Sequence, residues 1–119
     1  MSARRSDNSR PEYLTPAIFH TLLTLSGGPK HGYAISQEVA EVTEGRVTMG
    51  PGTLYGTLQR LRENGWLQRT EVAEAEGPHA ERRRYYELTP SGRAVLREEA
   101  RRLERGVELA RKRAILKSP

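Results

Sequence analysis

A chain of 119 residues, 35% hydrophobic and 29% charged, has room for one domain with a small core, so a long helix left over from that core needs a partner. The formal charge of +5 is carried mostly by Arg, whose planar fork suits phosphates and guanine edges; it suggests a polyanionic partner, but charge alone fits a generic basic surface equally well. The lack of cysteine excludes disulfide frameworks, thiolate metal sites and cysteine nucleophiles; no apolar run approaches the roughly 20 residues that span a bilayer, and the polar N-terminus has no signal-peptide core, so a soluble, cytoplasmic chain without membrane contact is expected.

Residues 1–12 are rich in Ser, Arg, Asp and Asn and carry no periodicity, which predicts a flexible basic arm. From Leu14 onward, Leu14, Ile18, Leu22 and Leu25 share one helical face widened by Phe19 and Leu23, and Thr15 before Pro16 forms an N-cap and first-turn pair. Ser26 to Pro29 stop this first helix. His31 and Gly32 lead into a second, with Ile35, Val39 and Val42 as its buried stripe, ending near Thr43 to Gly45. Pro51 opens a third helix, where Leu54, Leu58 and Leu61 repeat the stripe and Asn64–Gly65 forms the stop.

The period then changes. Trp66 to Glu74 and Arg83 to Leu88 read as two strands around a loop holding Gly77 and Pro78, a β-hairpin wing, with Trp66 in the core beneath it. Thr89, Pro90 and Ser91 restart helix, which should run to about Leu116. Along it Leu96, Ala100, Leu103, Val107, Ala110 and Ala114 alternate steps of four and three, the pattern of a heptad seam. The fold class is mainly α with a small β-hairpin: a winged helix-turn-helix over residues 13–90, followed by a C-terminal dimerisation helix over 91–119. The length of that helix favours an intermolecular partner. The three Ala positions of the seam drive packing weakly, so Leu14, Phe19 and neighbours are expected to join the interface.

In this arrangement the third helix enters the major groove of double-stranded DNA and the wing touches flanking backbone. With the Leu stripe facing inward, Gly52, Thr53, Tyr55, Thr57, Gln59 and Arg60 are left for other faces, and Gly52 and Gly56 keep the helix start slim enough to approach phosphates and base edges. Within a strand, Arg82 and Arg84 share a side and Arg83 takes the other; backbone contact is expected from this triplet, while Glu74, Glu76 and Glu81 oppose insertion of the wing tip. His31 reads as a helix-start residue. His20 should lie on the exposed side of its helix and His79 in the wing loop. No metal-ligand spacing, paired-carboxylate site or Ser/His/Asp order stands out, so neither an enzyme, a metal site nor a cofactor is expected.

Three blocks of residues, GGPKHGYAI (Gly27 to Ile35), GPGTLYGTLQRLRENGWL (Gly50 to Leu67) and RRRYYELTPSGRAVL (Arg82 to Leu96), resemble the PadR-like family of winged-helix regulators from about Leu22 to Leu96. The resemblance implies a transcriptional repressor that dimerises through its C-terminal helix, with a small-molecule effector in some members. Carried over by position, Tyr33 matches the tyrosine of the second helix, and Pro51, Thr53, Leu54 and Tyr55 match the recognition-helix signature. Two departures stand out: Gly50 takes the place where the family often has Ser, removing an N-cap hydroxyl, and the last helix has no tryptophan, which counts against an aromatic drug-binding pore. The competing expectation is a winged-helix interaction module that binds an acidic protein.

Overall fold

Thr15 and Pro16 start the first helix by two complementary means. In the computed structural model, which describes residues 13–71 and 84–119, the Thr15 hydroxyl accepts the Ile18 N–H at 3.2 Å. Pro16 occupies the first turn, where no N–H is needed. Helix α1 spans Pro16–Leu25, and Gly28, with φ +132°, turns the chain back. Two residues, Lys30–His31, form a short strand, β1. Helix α2 follows at Gly32–Val42, and the His31 ring caps it, Nδ1 accepting the Ala34 N–H at 3.4 Å. His31 is thus the helix-start residue expected of it.

The connector between α2 and α3 folds around Thr43. Its hydroxyl donates to the Val39 carbonyl at 2.8 Å and accepts from the Val47 N–H at 3.0 Å, satisfying one group at each end of the turn. Helix α3 spans Pro51–Glu63; its N-cap, Gly50, offers no side-chain hydrogen bond, as the missing hydroxyl requires. Asn64 caps its C-terminus, and Gly65 takes the left-handed φ of +81° that ends it. Strands β2 (Leu67–Glu71) and β3 (Arg84–Leu88) follow, then helix α4 (Pro90–Lys112), started by Thr89, whose hydroxyl accepts the Gly92 N–H at 3.0 Å.

The sheet is antiparallel with order β1-β3-β2. Leu67 pairs with Leu88 and Thr70 with Tyr85 across β2 and β3, while Lys30 pairs with Tyr86 and His31 with Tyr85 across β1 and β3. The sequence pattern missed β1: two residues are too few to show a period, and their pairing depends on a partner more than fifty positions away.

One core joins all the helices. Leu22 and Leu25 from α1, Ile35 and Val39 from α2, and Leu54, Leu58 and Leu61 from α3 meet Trp66, Tyr86 and Leu96. Trp66 is 1% exposed, as expected beneath the wing, and the backbone closes around it. The Thr89 N–H donates to its carbonyl at 3.0 Å, and a Cβ on Gly92 would overlap that same carbonyl. Only glycine lets α4 start this close to the turn.

Several residues lie elsewhere than expected. Val42 is exposed, because α2 ends there and the chain turns away. Leu23 is also exposed, and Thr21 and Thr24 are buried in its stead. His20 is half-buried rather than on an open face: its ring meets the Phe19 ring edge-on at 5.2 Å, and Nδ1 is buried without a hydrogen-bond partner among the described residues. Leu14 is buried in the chain's own core. Helix α4 ends at Lys112, not near Leu116. Ala114 takes a left-handed φ of +62°, and the Ile115 N–H turns back to the Ala110 carbonyl at 2.8 Å. No Gly or Asn marks this stop, which is why the apolar spacing alone ran past it. Among the described residues, no helix is long and apolar enough to cross a membrane.

Candidate nucleic-acid interface

The exposed start of α3 is built by exclusion. Leu54, Leu58 and Leu61 are spent on the core, so Pro51, Gly52, Thr53 and Arg60 are left facing solvent. Tyr55 does two things. Its side chain is 49% exposed, yet its ring packs on Gly32 at the start of α2. A Cβ at Gly32 would sit 2.6 Å from the Tyr55 hydroxyl oxygen and 2.9 Å from the ring carbons, closer than real Cβ contacts come. The glycine of the His-Gly-Tyr block is therefore the seat of an α3 side chain. Tyr33, the next residue, is 62% exposed.

Thr57 corrects the sequence expectation. It is buried, at 6% exposure, and cannot reach a DNA partner. The reason is angular: at about 100° per residue, Thr57 lies only about 60° from Leu54 and so falls within the core face. Arg62 on α3 and Arg69 on β2 are both exposed and were not singled out. Together with Gln59, Glu63, Leu67 and Gln68 they line a groove between α3 and the base of the wing. The signal for Arg62 was available, since it lies outside the Leu stripe; that for Arg69 needed the strand register.

Strand β1 brings the wing to this surface. The His31–Tyr85 pair puts β3 beside the start of α2, with the two rings edge-to-face at 5.6 Å. Arg84, exposed, lies one register step beyond that pair, next to where α2 begins at Gly32. Tyr33, Tyr55 and Arg84 are thereby gathered at one end of α2 by backbone pairing and a glycine contact. Arg82 and Arg83 lie outside the described residues. Lys30 pairs loosely with Glu38 at 3.9 Å. Among the described residues, no group of three His, Asp or Glu side chains could hold a metal ion.

The seam of α4 divides in two. Leu96 is buried in the chain's own core and is not free for a partner; Ala114 lies beyond the helix end. Between them Ala100, Leu103 and Val107 are exposed and Ala110 is half-buried. The inner half of α4 is held to the residues just before α1. Glu99, at 7% exposure, accepts a hydrogen bond from the Leu14 backbone N–H and two from Arg102, Nε at 3.1 Å and Nη2 at 2.5 Å. The Arg102 hydrogen bond holds the Glu99 carboxyl below the usual carboxylate range, with burial working against it and the Arg102 charge and the Leu14 N–H adding to it. The same hydrogen bond raises Arg102, whose guanidinium lies 4.2 Å from the centre of the Tyr13 ring.

Three helices, a short first strand between α1 and α2, and a two-stranded wing define a winged helix-turn-helix protein. A model of the transcriptional regulator PadR-like family matches residues 21–98, and the chain belongs to that family. It is 39% identical over 92 residues to transcriptional regulator Rv3488 of Mycobacterium tuberculosis, covering 77% of each chain. It is 40% identical over 84 residues to an uncharacterized 37.1 kDa protein in transposon TN4556 of Streptomyces fradiae, of whose length it spans only 22%. Among solved structures, a transcriptional regulator from Clostridium thermocellum superposes with a TM-score of 0.62 at 26% identity, covering 81% of this chain and 87% of that one. Bacillus subtilis PadR in complex with operator DNA superposes with a TM-score of 0.57, covering 68% of this chain and 43% of that one, and at 22% identity it speaks for the fold alone.

Proposed function

We propose that the chain is a sequence-specific DNA-binding repressor that acts in the cytoplasm as a homodimer on an inverted-repeat operator, and that a small-molecule effector releases it. The observation that carries this reading is the gathering of Tyr33, Tyr55 and Arg84 around the start of α2, beside the exposed Pro51, Gly52, Thr53 and Arg60 of α3. In the division of labour that follows, Thr53 and Tyr55 read base edges, and Arg60 and Arg84, joined by Arg82 and Arg83, contact phosphates. Dimerisation uses Ala100, Leu103, Val107 and Ala110 of α4, and residues 13–90 form the DNA-reading unit. Release by an effector is supported by the family resemblance alone, which gives a small-molecule effector to some members.

A gel shift with the DNA upstream of the chain's own gene, over a range of salt concentrations, tests the proposal. A retarded complex whose affinity falls steeply with salt supports it, because several phosphates must be neutralised at once. No binding to any genomic fragment at low salt overturns it. A protein complex that survives salt abolishing DNA binding would favour an acidic protein partner instead.

A further inference from the structure

We propose that Glu99 and Arg102 act as positioning residues, fixing the angle at which α4 leaves the DNA-reading body and so setting the spacing of the two recognition helices. The inference rests on dimerisation through α4. Helix α4 is anchored at two places. The first is its start, where the Thr89 hydroxyl donates to the Gly65 carbonyl at 2.6 Å and Gly92 lies against the Trp66 backbone. Because these contacts cluster within one turn, they act as a pivot. The second anchor lies two turns on, where Glu99 holds the Leu14 N–H and Arg102 spans Glu99 and the Tyr13 ring. Beyond it, Leu103 and Val107 are exposed, and α4 projects for about 14 Å more at 1.5 Å per residue.

The chemistry of the second anchor points to geometry rather than to bulk stability. Glu99 is the one charged side chain buried among the described residues. Arg102 keeps 38% of its side chain exposed, and an ion pair that solvent reaches adds little net stability. What it adds is direction. A carboxylate shared between a backbone N–H and a guanidinium is satisfied in one arrangement, and a greasy contact in many. A pivot of about 10° at Gly92 would swing the far end of α4 by about 5 Å over its roughly 30 Å reach. That exceeds the roughly 3.4 Å between adjacent base pairs, so the pair of recognition helices would slip by more than one base pair.

The chain has no cysteine, so a single Glu63→Cys at the exposed end of α3 places one spin label on each protomer. Electron-electron distance measurements on the full-length labelled chain, with sedimentation in parallel, then compare it with Glu99→Gln and Arg102→Met backgrounds. The expected result is a narrow inter-protomer distance distribution in the parent. It should be clearly broader in Arg102→Met and broadest in Glu99→Gln, with both variants still dimeric and folded at the measurement temperature. Across inverted repeats of graded half-site spacing, the parent's preference for one spacing should fall about tenfold in Glu99→Gln, the scale of one mismatched base pair. Should Glu99→Gln fail to fold, Arg102→Met carries the test, because it leaves the Glu99–Leu14 bond in place. Dimeric variants with unchanged distance distribution and spacing preference overturn the inference alone. A monomeric parent overturns the dimer reading and this inference with it.

Discussion

The ring of Tyr55 rests on Gly32, its carbons 2.9 Å from where a Cβ would stand, and this contact ties the start of α3 to the start of α2. It makes one side chain serve both as a strut between α2 and α3 and as an exposed group on the surface proposed to read DNA. Substitution at Gly32 should therefore disturb recognition more than folding.

Gly32→Ala is expected to displace the Tyr55 ring. The melting temperature should change little, since alanine is a better helix residue than glycine by up to about 1 kcal/mol and the displaced group is the free end of a side chain. Affinity for a selected operator should drop about tenfold, the scale of one lost base contact. Fluorescence anisotropy beside a thermal melt separates the two; equal losses of stability and binding would show that the contact is merely packing.

At Gly92 the opposite outcome is expected. A Cβ there meets the Trp66 carbonyl, which is backbone and cannot move aside. Gly92→Ala should destabilise the fold by about 1–3 kcal/mol, the usual cost of forced overpacking, in urea unfolding. An unchanged unfolding midpoint would mean that α4 starts further from Trp66.

Thr53 and Thr57 divide the recognition helix between its two faces. Thr53→Val should lower operator affinity while leaving stability nearly unchanged, because the residue is exposed; Thr57→Val should leave operator affinity within about twofold, because the residue is buried. A large binding loss in Thr57→Val with stability intact would place that hydroxyl on the DNA side.

The Glu99–Arg102 pair should make the fold sensitive to acid. The Glu99 carboxyl is held below its ordinary value of 4.5 in the folded chain. Its contribution to stability is therefore complete above that pH and is lost as the pH falls through the lower, folded-state value. Urea unfolding of the parent between pH 6 and pH 3, set beside Glu99→Gln, checks this: the parent should lose more stability on acidification. Parallel pH profiles would show that the pair contributes nothing to it.

Much of this was legible in the sequence because it depends on local signals. Thr15–Pro16, Asn64–Gly65 and Thr89–Pro90 delimit helices by chemistry confined to one turn, and each stands at the expected place. The three Leu of α3 show a full period and are buried. What stayed hidden depends on distant partners or on fine angle. Strand β1 exists because Tyr85 and Tyr86 lie beside it. Thr57 is a polar residue that falls just inside the core face. Leu96 fits a heptad seam, yet α1 and the sheet claim it first, and Ala114 fits the same seam after the helix has ended. Glu99 is one acid among many in a charged helix, and its burial depends on packing against residues some 85 positions earlier in the chain.

The measurement that bears most directly on the central claim is the stoichiometry and spacing of binding to an operator selected from random DNA by the full-length chain. The account predicts two chains per site, an inverted repeat with half-sites about 34 Å apart along the duplex, and loss of sequence preference on replacing Thr53 or Tyr55. Failure to enrich any sequence, or one chain bound per site with the preference intact in both variants, would contradict it.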